Sequence, residues 1–186
     1  MPMASDVAIV DLSSLPRLGF KGRETIAAMQ ARGVQLESQP NRAFRQPDGS
    51  LCLVLGSSDV FLLGALSGGN PIFTDLETGW SMENETRCYP LPRQHSHAWF
   101  ALTGIAAPDV FAKLCAVDLR LDHFPDLAIA QTSVARLGAV VLRADSDTGP
   151  VFHLLFDSTT RAYMQTCLLD AAAEFGGRWV ARDALP

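Results

Sequence analysis

Leu114–Arg143 reads LCAVDLRLDHFPDLAIAQTSVARLGAVVLR. Leu114-Cys115-Ala116-Val117 closes an apolar, helix-like run, and Asp118-Leu119-Arg120 leaves it with alternating charge. His123-Phe124-Pro125 interrupts any regular element, because proline fixes φ and has no N–H to donate. Gln131 to Arg136 then leads into Leu137-Gly138-Ala139-Val140-Val141-Leu142, a short and almost wholly apolar run with two adjacent valines. Its length and β-branching favour a buried strand over a helix.

The same alternation continues on both sides. Upstream, Ala98–Gly104 reads as a strand ending in glycine. Pro108 suits a first helical turn, with Val110, Phe111, Leu114 and Cys115 as the apolar stripe. Downstream, Val134–Leu142 and Val151–Phe156 read as two strands around the polar turn Asp145–Pro150. Thr160–Phe175 reads as the clearest helix, with Tyr163, Met164, Cys167, Leu168, Ala171 and Phe175 on one face and Gly176-Gly177 as its stop.

The first half repeats this order. Leu18–Gly22 is a strand ending in glycine, and Glu24–Arg32 a helix carrying Ile26 and Met29. Leu51–Leu55 and Val60–Leu63 form a hairpin around Gly56-Ser57-Ser58-Asp59. Lys21-Gly22 thus corresponds to Thr103-Gly104. The expectation is an α+β fold of two βαββ-type lobes, with antiparallel sheets covered by helices. Their spans are residues 1–92 and 93–186, with Tyr89–Arg93 as the boundary and residues 1–20 able to pack with the C-terminal lobe. Gln35–Pro47 shows no clean period, Ser67–Pro71 is the most loop-like stretch, and no element is assigned across residues 64–88.

The 186 residues are 48% hydrophobic, enough for a proper core, and carry 15 basic against 20 acidic side chains, a net charge of −5. That balance argues against a phosphate-backbone binder, so nucleic acid is not an expected partner. No apolar run reaches the length of a transmembrane helix, and residues 1–20 lack the basic-then-apolar order of a signal peptide. The cytoplasm is the expected compartment and no membrane the expected partner. Cys52, Cys88, Cys115 and Cys167 are widely spaced with no C-x-x-C pair, so free thiols are expected.

Two blocks, Cys115-Ala116-Val117-Asp118-Leu119-Arg120 and Ala130 to Leu137 (AQTSVARL), resemble the gamma subunit of heterotetrameric sarcosine oxidase. Asp11-Leu12-Ser13 with Phe20-Lys21-Gly22, Tyr89-Pro90-Leu91-Pro92-Arg93, and Ala98-Trp99-Phe100 agree in order along nearly the whole chain. More distantly the family is similar to glycine-cleavage aminomethyltransferases that bind tetrahydrofolate. The resemblance implies a non-catalytic subunit, partnered by the alpha, beta and delta subunits of a complex. That complex demethylates sarcosine oxidatively to glycine, gives hydrogen peroxide and passes one-carbon units to tetrahydrofolate. It also implies an aminomethyltransferase-like fold, with no cofactor in this chain and FAD, FMN, NAD, zinc and tetrahydrofolate on the partners. Neither G-x-G-x-x-G after a strand nor G-x-x-x-x-G-K-[ST] occurs here.

The resemblance also marks a degenerate folate site. Folate-binding relatives carry an arginine, then Tyr-Thr-Gly-Glu, then Gly-Phe/Tyr-Glu. Here Arg143, Thr148, Gly149 and Phe152 match, but Pro150 and His153 stand where the glutamates belong. No pair of acidic residues near Asp48-Gly49 matches the relatives' first lobe. A neutral histidine cannot act as the double acceptor that a pterin requires. The alternative function is a stand-alone folate-binding or aminomethyl-transfer protein.

Other chemistry-bearing residues read as structural. His95-x-His97 lacks a recognisable third metal ligand, and His123 reads as a loop residue. Cys115 and Cys167 sit on apolar stripes with no partner base marked by sequence. Phe100 reads as core, Trp99 as core or ligand platform, and Trp80 lies in the unassigned stretch. Asp11-Leu12-Ser13-Ser14 reads as a possible helix cap. No catalytic or metal-ligating residue is assigned.

Overall fold

The structure is a computed structural model describing residues 7–68, 71–81, 83 and 86–182. Its elements in chain order are β1 (Ala8–Asp11), β2 (Arg17–Lys21), α1 (Thr25–Ala31), β3 (Arg42–Arg45), β4 (Leu51–Gly56), β5 (Asp59–Leu63) and α2 (Pro71–Thr78), followed by β6 (Tyr89–Leu91), β7 (His97–Thr103), α3 (Ala107–Ala112), β8 (Ile129–Val134), β9 (Leu137–Arg143), β10 (Val151–Asp157), α4 (Arg161–Ala172) and β11 (Arg178–Val180). Gly69 and Asn70, in the loop-like stretch before α2, lie outside the described residues.

The stretch Gln131–Leu142 is a hairpin. Val134 pairs with Leu137 across the two-residue turn Ala135-Arg136, and the register runs back to Ile129 opposite Leu142. The continuous strand expected over Val134–Leu142 is therefore cut at its start. Both turn residues have positive φ, 49° for Ala135 and 68° for Arg136. Such turns normally announce themselves by Asn-Gly or Asp-Gly, and this one does not.

Each unit contains the expected βαββ core plus one further strand after its helix. In one unit the sheet order is β3-β4-β5-β2-β6; in the other it is β11-β1-β7-β10-β9-β8. Matching β2–β5 with β7–β10 gives the same neighbour order in both sheets. All pairings are antiparallel except that of β1 with β11.

The units consist of Ser14–His95 and of residues 7–13 with 96–182. The chain therefore divides at 13/14 and 95/96 instead of at 92/93. The reason is hydrogen bonding. β1 lies between β7 and β11, while β6, where a boundary was expected, completes the other sheet beside β2. β1 thus joins the sheet built by the C-terminal half of the sequence, and β6 closes the sheet of the N-terminal half.

The central strands β7 and β10 are buried on both faces, and their two-residue period decides which residues share a core. In the larger unit Phe100, Leu102, Val141, Phe152, Leu154 and Phe156 face α3 and α4, where Val110, Phe111, Met164, Leu168 and Ala172 meet them. In the other unit Phe20, Cys52, Val54, Val60 and Leu62 pack with Met29 of α1 and Phe73 and Leu76 of α2. α3 is shorter than expected, so Leu114 and Cys115 lie beyond its end. Tyr163 is half exposed, and its hydroxyl donates to the Ala135 carbonyl at 3.0 Å, steadying the strained turn.

The glycines matched between the halves share a backbone role. Gly22 and Gly104 end β2 and β7 with φ of 144° and 112°. A Cβ on Gly22 would also collide with the Arg87 carbonyl oxygen. No helix among the described residues is long and apolar enough to cross a membrane.

Candidate functional site

The β9–β10 hairpin carries all four folate candidates, and pairing separates them. Arg143 stands opposite Phe152, while His153 stands opposite Leu142. Directly opposed residues share a face and successive residues alternate. Arg143 therefore lies on the helix-covered side with Phe152, which packs against Phe111 and Phe124 at ring-centroid distances of 5.6 and 6.4 Å. His153 lies on the reverse side with Leu142 and Ala101. Thr148 and Gly149 form the turn itself: Ser146 and Gly149 exchange backbone hydrogen bonds of 3.0 and 3.2 Å, and Thr148 Oγ1 lies 2.9 Å from Ser146 Oγ.

Arg143 is a clamp. Its Nε lies 2.9 Å from Asp145 Oδ1 and its Nη2 lies 2.6 Å from Asp145 Oδ2. Nη1 donates to the carbonyls of Leu121 and Phe124, both at 2.8 Å. The Asp145 carboxylate raises the Arg143 pKa further, so the guanidinium is permanently charged. The Asp145 N–H donates to Asp126 Oδ1 at 2.8 Å, adding a second stitch to the same loop. The loop is further anchored by buried Leu119 and Phe124. The sequence signal for the pair is the i, i+2 spacing of Arg143 and Asp145, which the reading toward a folate motif passed over. The two carbonyl acceptors leave no such signal, because any residue type can supply a carbonyl.

His153 is 3% exposed and Trp99 is 1% exposed. Trp99 Nε1 donates to His153 Nδ1 at 3.1 Å. Indole is a donor only, so this bond sets the imidazole as the acceptor at Nδ1 and, when neutral, places its proton on Nε2. The single acceptor nitrogen of His153 is thereby used.

Trp99 is held from behind by the segment after β1. Its N–H donates to Ser13 Oγ at 2.9 Å, and its carbonyl accepts from the Leu12 N–H at 2.8 Å. Asp11 Oδ1 accepts the Ser13 N–H at 2.8 Å, and Asp11 Oδ2 pairs with Arg161. Asp11-Leu12-Ser13 is therefore a turn that fixes a strand, where a helix cap was expected.

A shallow depression of about 460 Å³ lies over β8–β10, lined by His97, Gln131, Thr132, Gly138, Val140 and Leu155 among others. None of the four folate candidates lines it. Among the described residues no cluster of three His, Cys, Asp or Glu side chains could hold a metal ion. His95 is exposed, and His97 opens β7 with Nδ1 2.8 Å from Ser96 Oγ. None of the four cysteines forms a disulfide. Cys52 and Cys88 are buried, and Cys115 and Cys167 are half-buried. Burial pushes the Cys52 thiol up to about 12. Asp118 is held well below the usual carboxylate range by its hydrogen bonds from Arg120.

No family model and no curated protein sequence matches the chain. Solved structures do. A chain of the heterotetrameric sarcosine oxidase from Corynebacterium sp. U-96, determined with pyrrole 2-carboxylate, superposes with a TM-score of 0.75 at 21% identity. The match covers 94% of this chain and 88% of that one. The glycine cleavage system aminomethyltransferase T from Bartonella henselae gives a TM-score of 0.67 at 14% identity, with coverages of 94% and 47%. The chain thus spans about half the length of that protein. The fold is therefore one shared by aminomethyltransferases and a sarcosine oxidase chain.

Proposed function

We propose that this chain is the gamma-type subunit of a heterotetrameric sarcosine oxidase, bracing the assembly without a reaction centre of its own. The observation that carries the reading is the nearly end-to-end match, on both sides, to a chain of such an enzyme. The ordered sequence blocks around Cys115–Arg120 and Ala130–Leu137 support it. On this reading the flavins, NAD, zinc and tetrahydrofolate belong to the alpha, beta and delta subunits, and the compartment is the cytoplasm. Hydride removal from an N-methyl amine needs an electron acceptor. Dinucleotides favour the crevices of parallel α/β sheets, and both sheets here are antiparallel apart from β1–β11.

The likeness to an aminomethyltransferase favours a second reading, a folate-binding protein acting alone. The candidate residues do not fit that role. Arg143 and His153 face opposite sides of one sheet, Arg143 is committed to four acceptors, and His153 Nδ1 already accepts from Trp99. Two unpaired pterin donors would cost roughly 1–3 kcal/mol each, or about two to four orders of magnitude in affinity. Titration calorimetry of the full chain with tetrahydrofolate separates the readings. The subunit reading expects no micromolar binding and no peroxide from sarcosine with this chain alone. Micromolar binding that disappears in Asp147→Ala, an exposed position on the turn, would promote the folate reading.

A further inference from the structure

A groove of about 390 Å³ lies where α3 meets the loop that follows it. Pro108 and Ala112 line it from the helix, and Cys115, Val117 and Leu119 line it from the loop. Leu119 is buried, but Ala116 and Val117 are exposed, Val117 to 36%. Leu121, two residues beyond Leu119, is 37% exposed. This loop is held in shape. The Val117 N–H donates to Cys115 Sγ at 3.5 Å, and Asp118 Oδ1 accepts the Arg120 N–H at 3.1 Å. Arg143 Nη1 fixes the Leu121 carbonyl at 2.8 Å. A loop fixed in this way loses little further freedom when it binds.

Three charged residues, Asp109, Asp118 and Arg120, also line the groove. Arg120 Nη2 lies 2.6 Å from Asp118 Oδ2, so these two cancel. Lys113, also on this side of the chain, is taken by Glu174 and by the Ala171 carbonyl at 2.9 Å. All 15 lysines and arginines of the chain lie among the described residues, and none of them pairs with exposed Asp109. The groove therefore combines exposed apolar side chains with one uncompensated carboxylate. Exposed valine and leucine grouped on a fixed loop are suited to burial against a partner, and the carboxylate sets the sign of the charge it meets. A second copy of the chain would bring the same carboxylate and a like net charge of −5. Ala116 and Val117 also belong to the Cys115–Arg120 block that resembles sarcosine oxidase gamma subunits, and core packing accounts for neither, since both are exposed. We propose that this groove seats a segment of a partner subunit, with an apolar side chain against Ala112 and Val117 and a lysine or arginine beside it on Asp109. This assignment rests on the subunit reading and names the surface that such a subunit would use.

The test is co-expression of the full chain with the alpha, beta and delta sarcosine oxidase subunits, measuring how much of the chain co-purifies. Val117→Asp should lower that amount at least about tenfold. Asp109→Lys should lower it about threefold or more at low salt, with recovery as salt screens the repulsion. Both free variants should melt with the parent, because both positions are exposed. Iodoacetamide should alkylate Cys115, which lines the groove, at least about tenfold more slowly in the complex than in the free chain. Undiminished co-purification of both variants, or Cys115 alkylated equally fast in the complex, would overturn this assignment and leave the subunit reading intact. Failure of the parent chain to co-purify would overturn both. A free chain that dimerises in the ultracentrifuge and becomes monomeric on Val117→Asp would assign the groove to a second copy and overturn the proposal.

Discussion

Arg143 shows how one residue type in one sequence context can support two chemistries. Its motif resembles part of a pterin site in folate-binding proteins; by geometry it ties the β9–β10 hairpin to the loop before β8. Its side chain is 12% exposed and that of Asp145 is 27% exposed, so their pairing is only partly screened by water. Arg143→Ala would strand the Asp145 carboxylate and two carbonyls. The expected loss is about 2–3 kcal/mol, or roughly 5–10 °C in Tm for a chain of this size. Arg143→Lys should recover only part, since a single ammonium cannot reproduce the planar fork. Denaturation of the three proteins side by side checks this, and an Arg143→Ala protein as stable as the parent would refute the clamp. The cysteines give a second prediction at this scale. With the Cys52 thiol pushed up to about 12 by burial, roughly one molecule in ten thousand is thiolate there at pH 8. Thiol reagents should label half-buried Cys115 and Cys167 in the native protein and reach Cys52 only on unfolding. Mass spectrometry of the labelled peptides reads the order.

Among the elements, those with a clean period were legible and those that depend on pairing were not. Leu51–Leu55 and Val60–Leu63 are uninterrupted apolar runs, Val151–Phe156 is broken only by His153, and each is a strand. β3 and β8 hold Arg42, Arg45, Gln131 and Ser133 on edge strands, where half-solvated positions blur the pattern. The Ala135-Arg136 turn was hidden because it carries no glycine or asparagine. Two non-glycine residues there sit at φ of 49° and 68°, conformations costing about 1–2 kcal/mol per residue for most L-amino acids. Arg136 is exposed at the turn, so Arg136→Gly removes the penalty without opening a cavity. Part of the gain is returned through the freer unfolded chain, leaving an expected stabilisation of about 0.5–1 kcal/mol. A thermal melt checks the sign; destabilisation would mean that the Arg136 side chain supports the turn.

For the molecule as a whole, the repeated strand–glycine–helix order was enough to anticipate two α+β units, since Gly22 and Gly104 both need positive φ at matching places. It was not enough to give the pairing of β1 and β6, because nothing in a four-residue or three-residue strand states which strand it will lie beside. The candidate site was less legible than the fold: the motif around Arg143–His153 was visible in the sequence, but the strand register that puts the two residues on opposite faces was not. The central claim, that the chain works as part of a larger enzyme, is tested most directly by co-expression with the presumed alpha, beta and delta sarcosine oxidase subunits. The account predicts a complex that co-purifies with this chain at fixed stoichiometry and forms peroxide from sarcosine, and loses yield or integrity when this chain is omitted. A monodisperse monomer that ignores those subunits, beside a complex that is complete and active without it, would contradict the account.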